Sequence, residues 1–183
     1  MRIGTKAAFR TPWDNEQSQR CPGQREDGIV DVVWKAIMEN DVIGHHWGSV
    51  QSGQPEGVMR NRNAVWWGWN SNIVHTDPTA AVLGTHRVPV LIVYGDLDTQ
   101  ANQTSPIELS VPKLYAAIQG NTNKLMFRIA CTGHFMPWER QATVLHRMSE
   151  QWLRQPPPSQ PPRVFGLTSG SFFLNEEGDI IPQ

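Results

Sequence analysis

Two short apolar runs in the second half of the chain predict neighbouring strands of a parallel sheet. Residues 88–94 form a nearly continuous apolar run that is followed by Gly-Asp-Leu-Asp. Residues 124–130 form a second strand-like run, followed by Cys-Thr-Gly-His. A continuous apolar run bounded by turn residues is typical of a strand buried on both faces. The pattern therefore predicts an α/β fold in which the 88–94 strand lies inside the sheet.

Helical spacing of apolar residues marks four further segments: 29–40, 76–84, 110–120 and 138–152. The third begins at the possible cap Ser110 and lies between the two strands, which predicts one right-handed βαβ unit. Residues 1–28 are polar and interrupted by prolines, so we expect mostly irregular structure with one helical turn near 9–19. Residues 41–75 are also expected to be irregular.

The carboxyl-terminal residues combine a proline-rich stretch with a hairpin pattern. Prolines between 156 and 162 predict a stiff extended linker. Ser171–Leu174, a turn at 175–178 and Ile180–Ile181 then predict a β-hairpin. The chain is accordingly divided into an irregular and helical part (1–84), an α/β core (85–154) and a linker with a hairpin (155–183).

Charge and cysteine content narrow the function classes. The 183 residues carry a net charge of -1 without a basic cluster, which argues against nucleic acid or an anionic membrane as partners. No apolar run approaches membrane-spanning length, and the start lacks the apolar core of a secretory signal. Cys21 and Cys131 are too few for a disulfide scaffold, so we expect reduced cysteines, a cytoplasmic protein and a small buried apolar role for Cys131. Adjacent His45 and His46 lack further ligands, so no metal or other cofactor is predicted.

Chemistry-bearing side chains follow both predicted strands. Asp96 and Asp98 follow the first strand, and His134 follows the second. Ligands and reactive groups collect beyond the carboxyl ends of parallel strands. An acid and a histidine at adjacent strand ends are two thirds of a hydrolytic triad, and a reference pKa of about 6.5 lets histidine accept and return a proton near neutrality.

Tryptophan is unusually frequent in the chain. Five of the eight tryptophans fall between Trp34 and Trp69. A tryptophan-rich irregular segment forms a lid or the wall of an apolar pocket, or it simply anchors the segment to the body, and both roles can hold together. The residues expected to line a substrate pocket are Trp47, Trp66, Trp67, Trp69, Phe135 and Trp138.

The order of these motifs resembles the carboxyl-terminal part of the α/β-hydrolase superfamily. The similarity rests on the apolar strand with Gly95-Asp96-Leu97-Asp98, and on the next strand with Gly133-His134-Phe135-Met136-Pro137-Trp138-Glu139. The segment from Val58 to Trp69 is similar to the lid region of some members. The resemblance implies that Asp98, which closes the Gly-x-x-Asp turn, is the triad acid and that His134 is the base. Asp96 is the alternative acid, otherwise a turn-capping residue.

The nucleophile of that superfamily has no match in the chain. Its serine lies in Gly-x-Ser-x-Gly at a strand-to-helix turn. The stretches 48–53 and 166–170 place serine at the wrong spacing. The resemblance implies that the serine and the oxyanion-hole loop would precede Met1, leaving the lid and the final two strands here. Cys131 is no substitute, because it leads into the histidine loop.

Three functional hypotheses follow. The first is a partial serine-type hydrolase, inactive alone, which acts on a small apolar or ester substrate when an upstream segment supplies the nucleophile. The second is a non-catalytic module that binds an apolar ligand in a tryptophan-lined pocket. The third is a partner chain that supplies the missing sheet, because an exposed flank of the 88–94 strand invites association. The substrate and the bond cleaved are not fixed by these residues.

Overall fold

A computed structural model describes residues 2–16, 21–61, 78–85, 88–99, 111–154 and 160–183. Their elements, in chain order, are β1 (Arg2–Thr5), α1 (Lys6–Glu16), α2 (Ile29–Asn40), β2 (Val50–Gln51), β3 (Gln54–Pro55), β4 (Val58–Asn61), α3 (Pro78–Thr85), β5 (Val90–Gly95), α4 (Val111–Ala117), β6 (Lys124–Ile129), α5 (Ala142–Leu153), β7 (Gly170–Leu174) and β8 (Ile180–Pro182). Short 3₁₀ turns at Gly44–His46 and Met136–Trp138 complete the set.

A four-stranded sheet with the order β5-β6-β7-β8 forms the body of the carboxyl-terminal half. β5, β6 and β7 are parallel, and β8 closes the sheet antiparallel to β7. The side chains of Leu125, Phe127 and Ile129 on β6 are completely buried, and Met148 of α5 covers them from one side. The mixed α/β class and the parallel strands predicted from the sequence are therefore confirmed.

The position of β5 differs from the expectation for an interior strand. In the part of the chain that the structure describes, β5 pairs only with β6, and the residues from Val90 to Val93 are half-buried. β6 and β7 each have a neighbour on both sides, and β6 is the more buried of the two. The apolar run 88–94 was thus read correctly as a strand, whereas its burial on both faces is not observed.

The predicted carboxyl-terminal hairpin is confirmed, and it belongs to the main sheet. Phe173 pairs with Ile181 across the hairpin, while Phe127 of β6 pairs with Phe172 of β7. The expected core of two strands is therefore extended to four, because β7 returns parallel to β6.

The amino-terminal residues are more regular than predicted. α1 has 11 residues and begins where the Thr5 hydroxyl accepts the Ala8 backbone N–H. β1 pairs antiparallel with β4, within a segment that was expected to be irregular. Phe9 and Trp13 of α1 pack on the apolar face of α2 to form a second buried cluster: Phe9, Trp13, Val30, Val33, Trp34 and Met38.

The predicted helices are all present among the described residues. α2 has the predicted bounds and α4 lies within its predicted segment, whereas α3 and α5 each end one residue beyond theirs. The capping position Ser110 lies outside the described residues. α2 and α5 have 12 residues each, and no helix in the described ranges is both long and apolar enough to cross a bilayer.

Candidate functional site

The loops that follow β5 and β6 are held together by backbone hydrogen bonds. The Asp96 N–H donates to the Ile129 carbonyl at 3.0 Å, and the Leu97 N–H donates to the Thr132 carbonyl at 2.9 Å. In return, the Thr132 N–H donates to Asp96 Oδ1 at 3.3 Å. Because these bonds cross between the loops, the residues that follow each strand are fixed relative to each other.

Gly95 allows this close approach. A Cβ atom at Gly95 would lie 1.9 Å from the carbonyl oxygen of Thr132, a backbone atom that cannot move without its loop. The glycine of the Gly-Asp-Leu-Asp motif is therefore required by the contact between the two loops.

Gly95→Ala is expected to lower the free energy of unfolding by about 1–3 kcal/mol, because the added methyl group forces the loops apart. Gly4→Ala is the matched control, since its Cβ would meet Met59 at an ordinary 3.5 Å. We expect the control to stay within about 0.5 kcal/mol. Urea denaturation measures both, and equal midpoints for the two variants would contradict the role of Gly95.

Asp98 and His134 meet at the tips of these loops. His134 Nδ1 lies 3.0 Å from Asp98 Oδ2. The Asp98 side chain is 7% exposed and that of His134 is 38% exposed. An ionised carboxylate only accepts hydrogen bonds, so Nδ1–H is the donor and Nε2 carries the lone pair of the neutral ring. Among the described residues, none is hydrogen-bonded to Nε2, and the His134 side chain is partly exposed.

The Asp98 carboxylate raises the pKa of His134 above its usual 6.5, against the opposing effect of burial. The carboxylates of Glu16 and Glu139 raise it further. A raised pKa means that the protonated ring stabilises the fold. This contribution is complete below about pH 6.5 and is lost as the pH rises through the raised value.

Two buried glutamates hold the backbone of the histidine loop. Glu139 Oε2 accepts the Gly133 N–H at 2.6 Å, and Glu16 Oε2 accepts the His134 N–H at 2.6 Å. A Cβ atom at Gly133 would lie 2.5 Å from one carboxylate and 2.9 Å from the other, so only glycine fits between them. Burial raises the pKa of both glutamates, while the N–H donors oppose that shift.

A short segment after α1 is fastened to the same loop. Cys21 and Cys131 form a disulfide with a Cα–Cα distance of 5.4 Å. The Gln24 carbonyl accepts the Arg140 N–H at 2.7 Å, and the Gln24 side chain bonds to Glu139. The expectation of reduced cysteines is therefore wrong, because the fold brings together two residues that lie 110 positions apart. Cys131 is buried as expected, although as half of a disulfide.

Some of the predicted pocket residues form an aromatic cluster beside His134. The Phe135 ring meets the His134 ring edge-to-face at 5.4 Å and stacks on Trp13 at 4.1 Å. Trp138 stacks on the same Trp13 at 5.9 Å and is 45% exposed. Phe135 and Trp138 therefore lie at the site, with Trp13 as an additional member that was not predicted.

The other predicted pocket residues are not brought to this cluster by the described structure. Trp47 is exposed beside β4, where its carbonyl accepts the Gly57 N–H and its ring lies 6.0 Å from the Arg60 guanidinium. The predicted residues that lie outside the described part of the chain are Trp66, Trp67 and Trp69.

Asp96, the alternative acid, bonds to the backbone of the histidine loop. It lines a cavity of about 240 Å³ together with the disulfide and Glu176. Cys21, Cys131 and Glu176 are the only group of three potential metal ligands within the described ranges. The two sulfur atoms are bonded to each other, so they are not available as thiolate ligands. The geometry therefore gives Asp98 the contact with the His134 ring and gives Asp96 a contact with the Thr132 backbone.

Sequence reasoning missed Glu16, although the sequence contained a signal for it. Phe9, Trp13 and Glu16 follow helical spacing on one face of α1, and an acid that continues an apolar face indicates a buried, bonded carboxylate. Glu139 ends the Gly133–Glu139 motif, but the motif itself indicates no role for this residue. Together, the described groups place a buried acid against one ring nitrogen of His134 and two carboxylates against the backbone of its loop.

Comparison with known proteins gives no independent identification. No protein-family model, curated protein or solved structure matches the chain.

Proposed function

We propose that this chain carries the acid and the base of a serine-type α/β-hydrolase that cleaves an ester or a similar acyl substrate. The observation that carries this proposal is the 3.0 Å contact between Asp98 and His134, at the ends of adjacent parallel strands. The acid is buried and the base is partly exposed, which is the arrangement that general-base catalysis requires.

The serine comes from a segment bearing Gly-x-Ser-x-Gly that is not among these 183 residues. His134 Nε2 takes the hydroxyl proton as the serine oxygen attacks the acyl carbon, and Asp98 stabilises the imidazolium that forms. His134 then gives that proton to the leaving alcohol. Water repeats the sequence on the acyl-enzyme, which releases the acid and restores the serine.

The aromatic side chains beside His134 support an apolar acyl or ring-containing substrate. Phe135 is half-buried, and Trp138 offers an exposed indole face. The alternative function, an apolar-ligand module, is less well supported because Trp13 is 1% exposed and is covered by its stacking partners.

The cytoplasmic location expected from the sequence stays a prediction, and the disulfide weighs against it. Disulfides persist mainly in oxidising compartments, whereas cytosolic reductants keep thiols reduced. Non-reducing electrophoresis of the protein from its native cells distinguishes the two environments.

Hydrolysis of a short p-nitrophenyl ester tests the proposed function. The wild-type chain alone and its His134→Ala variant are expected to give the same background rate, because neither holds a serine nucleophile. Expression in one frame with a serine-bearing segment from the adjoining coding sequence is expected to give activity and labelling by a fluorophosphonate. His134-dependent hydrolysis by the chain alone contradicts the need for an added serine. A serine-bearing assembly that folds correctly and is still inactive contradicts the hydrolase function.

A further inference from the structure

Glu16 bonds to the loop that carries Asp98 and to the loop that carries His134. Its Oε2 accepts the His134 backbone N–H at 2.6 Å, and its Oε1 accepts the Thr99 hydroxyl at 3.3 Å. Thr99 directly follows Asp98, so one carboxylate joins the acid loop to the histidine loop. Glu16 lies 118 positions from His134 in sequence, and it is supplied by the last turn of α1.

We propose that Glu16 is a positioning residue that sets the distance between Asp98 and His134 by bonding to both of their loops. This inference rests on the proposed function, because the distance between the two side chains matters only if they act as a catalytic pair. The contacts of Glu16 themselves do not involve the serine segment.

Three features of α1 make it suited to this task. Glu16 is 4% exposed, so its carboxylate is screened little by water. The preceding turn is held by Trp13, which stacks on Phe135 next to His134. The segment after α1 is bonded to the histidine loop through the Cys21–Cys131 disulfide. The chain is therefore attached to the histidine loop both before and after Glu16, so its carboxylate has little freedom to move away from His134.

The remaining charged groups around His134 do not make the same connection. Asp98 bonds to the imidazole ring itself, and Glu139 bonds to Gly133 and Gln24. Glu16 is the group seen here to touch both the acid loop and the His134 backbone.

Solvent exchange of the His134 Nδ1 proton in the isolated chain tests the inference by NMR. This proton is protected by its bond to Asp98, and the buried Met148 amide reports global opening. Glu16→Ala removes the bonds to both loops, including the one from the Thr99 backbone N–H, and is expected to speed exchange of the Nδ1 proton about 10- to 100-fold relative to the Met148 amide. If Glu16 had only a structural role, its replacement would speed the Nδ1 and Met148 exchanges equally. Equal acceleration of the two therefore overturns the inference.

Glu16→Gln separates bonding from charge. The amide oxygen still accepts the His134 N–H, and the amide nitrogen can donate to Thr99. We expect Nδ1 proton exchange within about threefold of wild type, together with a lower His134 pKa, because the negative charge that raises it is gone. Loss of protection as large as in Glu16→Ala overturns a role in positioning.

Asp14→Asn is the matched control. It removes one charge from the same helix, but its carboxylate bonds to Arg25 rather than to His134, so Nδ1 exchange should stay unchanged. If Glu16→Ala does not fold, Thr99→Val removes the hydroxyl bond at an exposed position while the Thr99 backbone N–H still bonds to Glu16, so it should speed exchange about twofold relative to Met148. Slower exchange in that variant than in the wild type overturns the inference. Because the readout needs no hydrolysis, a faster exchange with an inactive serine-bearing assembly overturns the proposed function alone.

Discussion

Asp98→Asn is expected to lower the turnover of the serine-bearing assembly by about 10⁴-fold. The asparagine amide can donate to His134 Nδ1, which favours the ring form that carries its proton on Nε2 instead. A protonated Nε2 cannot accept the serine proton. The rate of p-nitrophenyl ester hydrolysis measures this effect, and NMR of the isolated chain should show a lower His134 pKa, because Asp98 is the main group that raises it.

Asp96→Asn is the control on the same turn. An asparagine oxygen still accepts the Thr132 N–H, so the contact between the loops is kept. We expect the rate to change by less than about tenfold. A larger loss for Asp96→Asn than for Asp98→Asn would reverse the assignment of the acid.

Removal of the disulfide is expected to have the largest effect on stability. The Cys21→Ser, Cys131→Ser double variant opens a loop of 110 residues. In the chain-entropy model, closing a loop of about this length contributes about 4–5 kcal/mol, so we expect a loss of free energy of unfolding of up to that size. The midpoint of guanidinium denaturation measures the loss.

Reductant provides the control for the double variant. Dithiothreitol should shift the midpoint of the wild-type chain toward that of the double variant, and it should leave the double variant unchanged. Coincident midpoints for oxidised wild type and the double variant would show that the cross-link does not stabilise the fold.

The parts of the fold that were predicted are those with a strong local pattern. The residues of β5 and β6 are apolar runs with turn residues after them, and α2 has apolar residues at regular helical spacing. The proximity of Asp98 to His134 followed from one rule about the carboxyl ends of parallel strands. Side chains at adjacent strand ends are close enough to form the hydrogen bond that is observed between them.

The parts that were missed depend on contacts between distant residues. Pro12 lies inside α1 and argues against a helix in the sequence, whereas packing on α2 favours the helix in the fold. Cys21 and Cys131 lack any spacing that indicates a bond, and only the fold brings them together. The parallel pairing of β7 with β6 likewise cannot be read from the sequence of β7 alone.

The disulfide has a consequence for proteolytic processing. A protease that cuts any peptide bond between Cys21 and Cys131 produces two polypeptides that stay joined through sulfur. The amino-terminal product would retain Glu16 and the carboxyl-terminal product would retain His134, so the disulfide holds the two contacting residues in one nicked, two-chain form. Reduction after such a cut would release the helix that carries Glu16 from the histidine it contacts.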